Sequence, residues 1–243
     1  LIYDDSCLGS SGRGTSLLGI RHTMSSLKRI FPSATIGRVT PSEIKSGEKL
    51  FKAKLLIIPG GRDRPYHKEL QGKGNENIRK FIESGGSVLG ICAGAYYLSQ
   101  QIEFTPRNPL FRVAEDRELG FYPGTCKGPE LGDYHPAKPV GVQAAKILLT
   151  GTSNELSVYY NGGGSFPEAQ RFPKVTTLAT YKETGNPAIL HIKVGKGTCL
   201  LSGVHLEYPA EELFPCELAP GVQEELLKHE QRRFTLFREV LKK

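Results

Sequence analysis

The stretch with the clearest chemistry is Gly85-Gly86-Ser87-Val88-Leu89-Gly90-Ile91-Cys92-Ala93-Gly94-Ala95-Tyr96-Tyr97, where an apolar run ends in Gly-x-Cys-x-Gly and a helix pattern begins. This is the pattern of a nucleophile elbow with cysteine in the serine's place. In such a turn the small flanking residues, here Gly90 and Gly94, let backbone and substrate come close. The spacing predicts Cys92 at the carboxyl end of a strand, with strained backbone and a helix starting within two residues. Free N–H groups at that helix start favour a thiolate, the nucleophilic form of cysteine. The ordinary alternative is a cysteine that acts as a small core hydrophobe. A partner comes from Thr198-Cys199-Leu200-Leu201-Ser202-Gly203-Val204-His205-Leu206-Glu207-Tyr208-Pro209, a strand-like run ending in His-x-Glu. Residues i and i+2 of an extended segment share a face, so His205 and Glu207 reach a common site if the chain curls there. A nucleophile, a base and a group that orients the base make up the logic of an activated thiol.

With these motifs in this order the chain resembles class I glutamine amidotransferase domains, whose triad is Cys, His and Glu. The likeness narrows through Ile57-Ile58-Pro59-Gly60-Gly61-Arg62-Asp63-Arg64-Pro65-Tyr66, Gly90 to Tyr97, Glu103-Phe104, Phe121-Tyr122-Pro123-Gly124-Thr125 and Tyr160-Asn161-Gly162-Gly163-Gly164. Together these resemble the amidotransferase-like N-terminal domain of eukaryotic-type biotin-protein ligases, over nearly the whole chain. The resemblance implies an α/β, flavodoxin-like three-layer fold with a mostly parallel sheet. It implies that Cys92 attacks a carboxamide or related carbonyl, with glutamine the family-level substrate, while His205 carries the proton and Glu207 holds the imidazole. The oxyanion donors it suggests are the Ala93 N–H and an N–H of Gly60 or Gly61. Arg62, Asp63 and Tyr66 are then candidates for the mouth of the site, and Tyr96, Asn161 and Gly162 for substrate contact. Asn161 and its glycines read equally as a turn that needs positive φ. Two alternatives stay open: another cysteine hydrolase or peptidase on the same scaffold, and a catalytically quiet module that binds a metabolite or regulates a biotin ligase.

The elements that must position these residues alternate. Strand-like Leu1 to Tyr3 leads through a glycine-rich turn to a helix with Leu17, Ile20, Met24, Leu27 and Phe31 on one stripe. Thr35 to Val39, Lys54 to Ile58 and Ser87 to Ile91 read as strands, and Asn75 to Ser84 as a helix. This alternation predicts a parallel sheet covered on both faces. Residues from about 105 to 139 are rich in Pro, Gly and charge and read as an irregular loop region within a single domain spanning residues 1–243. Strands follow at Ala144 to Leu149, Leu156 to Tyr160, Val175 to Tyr181, Ala188 to Val194 and Thr198 to Val204, with a hairpin turn at Gly195-Lys196-Gly197. Val222 to Leu241 reads as one amphipathic helix.

Composition narrows the rest. The 243 residues suffice for a sizeable core, and the net charge of +7 comes from 32 basic and 25 acidic residues spread along the chain. No nucleic-acid motif accompanies that charge, so no nucleic-acid partner is expected; the resemblance implies a small amide substrate, glutamine at the family level, and a ligase or synthase domain as partner. Five cysteines without a C-x-x-C argue against a disulfide framework or structural zinc, and suit a reducing cytoplasm. No apolar stretch reaches the length of a membrane span. Leu1 already stands in a strand-like run, which leaves room for a missing natural N-terminus. There is no Trp and no Gly-x-x-x-x-Gly-Lys-Ser/Thr loop, so neither ATP use nor biotin ligation by this chain alone is expected, and no cofactor or metal is called for.

Overall fold

The computed structural model describes residues 1–214 and 218–243; Cys216, one of the five cysteines, lies outside the described residues. In chain order the strands are β1 (Ile2–Tyr3), β2 (Arg38–Val39), β3 (Leu55–Ile58), β4 (Ser87–Ile91), β5 (Ser99–Phe104) and β6 (Val113–Asp116). They continue as β7 (Tyr122–Gly128), β8 (Gln143–Leu149), β9 (Glu155–Tyr160), β10 (Val175–Tyr181), β11 (Pro187–Val194) and β12 (Gly197–Ser202). The helices are α1 (Gly9–Gly12), α2 (Leu17–Ile30), α3 (Pro41–Ser46), α4 (Asp63–Leu70), α5 (Lys73–Glu83), α6 (Ala93–Leu98), α7 (Val222–Lys228) and α8 (Glu230–Val240).

Among the described residues, nine strands form one sheet in the order β2-β1-β3-β4-β12-β11-β10-β8-β9. The strands of β3 are apolar throughout because both faces are covered. Leu56 and Ile58 join one buried cluster with Ile78, Phe81 and Ile82 of α5, whereas Ile57 joins another with Ile20 and Leu27 of α2. That division at period two places helices on opposite faces, the expected three-layer α/β arrangement. The pairings β1–β2, β1–β3, β3–β4 and β4–β12 are parallel. Beyond β12 every pairing is antiparallel, so the sheet is mixed rather than mostly parallel. The reason is local: Val194 pairs with Gly197, so Gly195-Lys196 is a two-residue hairpin turn, and such a turn reverses the chain.

Residues 105–139, read from composition as irregular, contain β6 and β7. With β5 they form a three-stranded sheet in the order β6-β5-β7. In β7, Tyr122, Gly124, Cys126 and Gly128 are buried alternately, but two of the four inward positions are glycine, so the period was invisible in the hydrophobic pattern. Ile102, Val113, Tyr122 and Cys126 pack in the same buried cluster as Tyr66 and Tyr97 of the helices beside the large sheet. The closing segment is two helices instead of one, broken at His229 (φ −107°, ψ 2°). The break lets Val222 and Leu226 pack with Tyr208 while Leu236, Phe237 and Val240 turn to the main core beside α2. Leu227, on the other side of α7 from this contact, is 46% exposed. Among the described residues no helix is long and apolar enough to cross a membrane.

Candidate active site

The parallel strands β1, β3, β4 and β12 all end at one sheet edge, where ligands of open α/β sheets bind. Cys92 follows β4 directly and α6 starts at the next residue. Its φ of 49° makes it the one non-glycine residue with positive φ among the described residues, a strained geometry of the kind found at functional turns. The flanking glycines are sterically required. A Cβ on Gly94 would stand 2.0 Å from the Ile58 carbonyl oxygen. The Cys92 N–H donates to Ser202 O of β12 at 2.8 Å, which ties the elbow to the strand that leads to His205.

The chain does curl after β12, and three elements pin the curl. His205 N–H donates to Tyr159 O at 2.9 Å, Ser26 Oγ of α2 donates to Glu207 O at 2.8 Å, and the Arg233 guanidinium of α8 donates to Leu206 O. His205 and Glu207 are 4% and 0% exposed, and the imidazole Nδ1 lies 2.7 Å from Glu207 Oε1. Glu207 Oε2 has no hydrogen-bond partner among the described residues, so His205 is the group that compensates this buried carboxylate. Burial opposes the imidazolium, yet Glu207 and a side-chain hydrogen-bonding interaction with Cys92 outweigh it and raise His205 to about 10. The ring of Tyr208 lies over the imidazole with centroids 4.6 Å apart, and Tyr159 meets it edge-on at 5.4 Å. His22 and His135 are engaged elsewhere: His22 Nδ1 faces Glu212 at 3.3 Å, and His135 Nδ1 accepts the Ala137 N–H at 3.1 Å.

Asn161 and its glycines close the site from the β9 side. The Cys92 thiol donates to the Asn161 carbonyl oxygen at 3.7 Å, and Asn161 Oδ1 is buried without a partner among the described residues. Gly162 has the positive φ (71°) of the turn reading. Gly163 serves a different need, since a Cβ there would stand 1.7 Å from Gly203 O, in the turn that carries His205. Gly60 touches the pair itself: a Cβ on it would lie 2.9 Å from His205 Cε1 and 3.6 Å from Cys92 Cβ. The N–H groups of Gly60, Gly61 and Ala93 make no hydrogen bond among the described residues.

A pocket of about 420 Å³ opens beside Cys92 and Ala93, lined also by Gly61, Arg62, Asp63, Tyr96 and Gly162. Tyr66, expected at its mouth, is instead fully buried, and its hydroxyl donates to the carbonyls of Pro59 and Gly60, each at 3.1 Å. It braces the turn from behind because α4 carries it inward, against Tyr3 and Tyr97. Asp63 does line the pocket, but its carboxylate accepts from Arg117 Nε at 2.9 Å; burial raises its pKa and Arg117 opposes that rise. Tyr96 hydroxyl donates to Gly162 O at 3.2 Å. Sequence reasoning missed Arg117, Tyr134 and the apolar wall from β5 and β6, whose only local signal was the Glu103-Phe104 match. Among the described residues no group of three or more His, Cys, Asp and Glu side chains is placed to hold a metal ion.

Elbow, sheet edge and layer order are those of a class I glutamine amidotransferase-like α/β protein. A solved glutamine amidotransferase superimposes with a TM-score of 0.57 over 93% of this chain and 95% of that one, at 18% identity, a likeness of fold. A family model described as biotin-protein ligase, N terminal, matches residues 6–243, and the chain belongs to that family. It is similar to a biotin–protein ligase of Schizosaccharomyces pombe, 33% identical over 208 residues that cover 83% of this chain and 33% of that protein. The chain thus spans about a third of that ligase's length. An uncharacterized protein of Chlamydia muridarum is 36% identical over 218 residues, covering 87% of this chain and 81% of the relative.

Proposed function

We propose that the chain catalyses hydrolysis or transfer at an amide-type carbonyl, with Cys92 as nucleophile, His205 as proton carrier and Glu207 as the carboxylate that holds the imidazole. The observation that carries this reading is the strained Cys92 at a strand end, facing a buried His205–Glu207 pair. The thiolate forms a C–S bond to the carbonyl carbon. Imidazolium gives its proton to the departing nitrogen as the C–N bond breaks, and water then cleaves the thioester with His205 as base. Ala93 N–H and an N–H of Gly60 or Gly61 are the donors we assign to the oxyanion, because none of them is spent on a partner among the described residues. Glutamine is the family-level substrate, and a ligase or synthase domain the partner that membership of this family suggests. Another cysteine hydrolase on this scaffold fits the same triad. A quiet regulatory or metabolite-binding module of a biotin ligase is favoured by one contact, the thiol's hydrogen bond to Asn161 O.

Mass spectrometry after incubation with a glutamine-analogue electrophile discriminates these. Labelling of Cys92 supports glutamine as the substrate; labelling by a general alkylator alone favours the other hydrolase, and no labelling favours the quiet module. With a general alkylator near neutral pH, Cys92 is expected to react faster than Cys7, Cys126, Cys199 or Cys216, and His205→Ala to slow it. Cys126 and Cys199 are buried, and burial raises both thiols. Cys7 is exposed but has no imidazole assigned to it. Equal rates at Cys7 and Cys92 would identify a structural thiol.

The isolated chain is expected to release ammonia from glutamine well below the ordinary enzyme median of about 10 per second. Turnover near that median by the purified chain overturns the expectation; a slow rate that rises on adding a partner and vanishes in Cys92→Ser supports it.

A further inference from the structure

The wall of the pocket opposite Cys92 is Ile102, Phe104, Leu110, Phe111, Val113 and Tyr134, all from the small sheet and the segments around it. At about 420 Å³ the space is of ordinary small-ligand size. Its charges are distributed unevenly. Asp63, the one carboxylate among the described lining residues, is held by Arg117 at 2.9 Å. Arg64 donates to Glu115 at 2.9 Å through Nε, and Arg117 also lies 2.9 Å from Glu115. Arg62 donates to the backbone carbonyls of Ser10 and Arg13 and has no carboxylate partner among the described residues. Among the described lining residues two guanidiniums, Arg62 and Arg64, therefore face one carboxylate, Asp63, which Arg117 already holds from behind. A free amino acid needs a counter-charge for its ammonium, and desolvating an unpaired cation beside Arg62 is costly.

We infer that the substrate of Cys92 is an acyl compound with an apolar body of several carbons and no ammonium group, held against the Phe104–Phe111 wall, so that free glutamine is a poor ligand of this pocket. This rests on the nucleophile reading above and names its substrate class. The acyl carbon bonds to Cys92 Sγ, the leaving group departs with the electron pair of its bond to that carbon, and water releases the acid.

The test varies the acyl group and keeps the leaving group. Release of nitrophenolate from the p-nitrophenyl esters of acetic, hexanoic, phenylacetic and 6-aminohexanoic acids is measured for wild type, Cys92→Ser and Leu110→Glu. Each rate is divided by the rate of the same ester with glutathione. Hexanoyl and phenylacetyl are expected to exceed acetyl by about tenfold or more, on the scale of methylene discrimination in apolar pockets. The 6-aminohexanoyl ester is expected to fall back to the acetyl level, and Leu110→Glu to reduce the hexanoyl preference. Leu110 is 82% exposed, so this substitution does not threaten folding. Equal normalised rates for acetyl and hexanoyl, equal rates for hexanoyl and aminohexanoyl, or an unchanged preference in Leu110→Glu overturns the substrate class. In those cases a Cys92-dependent acetyl reaction leaves the nucleophile reading standing. No Cys92-dependent reaction with any ester overturns both.

Discussion

Replacement of Glu207 by Gln is expected to cost about 3 kcal/mol or more of stability at pH 6, on the scale of breaking a buried ion pair, and far less above pH 10. The pair is buried, and one carboxylate oxygen has no partner among the described residues besides what His205 gives the other. His205 is raised from the ordinary 6.5 to about 10, so the folded state holds its proton more tightly than the unfolded chain does. The sign follows: this contribution is fully present below about pH 6.5 and is lost as the pH rises through about 10. Urea unfolding of wild type and Glu207→Gln at about pH 6, 8 and 10.5 checks it. A gap between the two curves that does not shrink with rising pH would show that the pair is not an ion pair.

Gly60→Ala is expected to lower the rate of Cys92 acylation about a hundredfold, the scale of an ångström-level misplacement at a reacting centre. The added Cβ would stand 2.9 Å from His205 Cε1, closer than real contacts allow, with Cys92 Cβ 3.6 Å away. The imidazole must yield, but Glu207 at 2.7 Å and the ring of Tyr208 resist the shift. Acylation by the p-nitrophenyl ester of acetic acid, with thermal unfolding alongside, separates lost geometry from lost fold. Full reactivity in a folded Gly60→Ala protein would mean that Gly60 is there for backbone shape alone.

The Cys92 elbow and the His205–Glu207 pair are legible because their signals are local. Gly-x-Cys-x-Gly after an apolar run dictates an elbow, and His-x-Glu after another dictates two side chains on one face. The strands Ser87–Ile91 and Val175–Tyr181 have the bounds that their composition predicts. The parallel half of the sheet follows from βα alternation, and the antiparallel β11–β12 pairing from the turn at Gly195-Lys196-Gly197. A residue one helical turn beyond a glycine loop, as Tyr66 is, reads as mouth or brace with equal ease, and only the inward face of α4 decides.

By itself the sequence determined the elbow at Cys92, the sheet edge at which Cys92, His205 and Glu207 meet, and the family to which the chain belongs. Tertiary structure alone decided what surrounds them. The apolar wall comes from residues 102–134, where Gly and Pro in β7 hide the period of two and where the pairings of β5 with β6 and β7 supply the order. Likewise the tie of Asp63 to Arg117 and the closure of Gly163 on Gly203 join residues far apart in the chain. Such contacts form only when packing brings the segments together, and no local propensity encodes them.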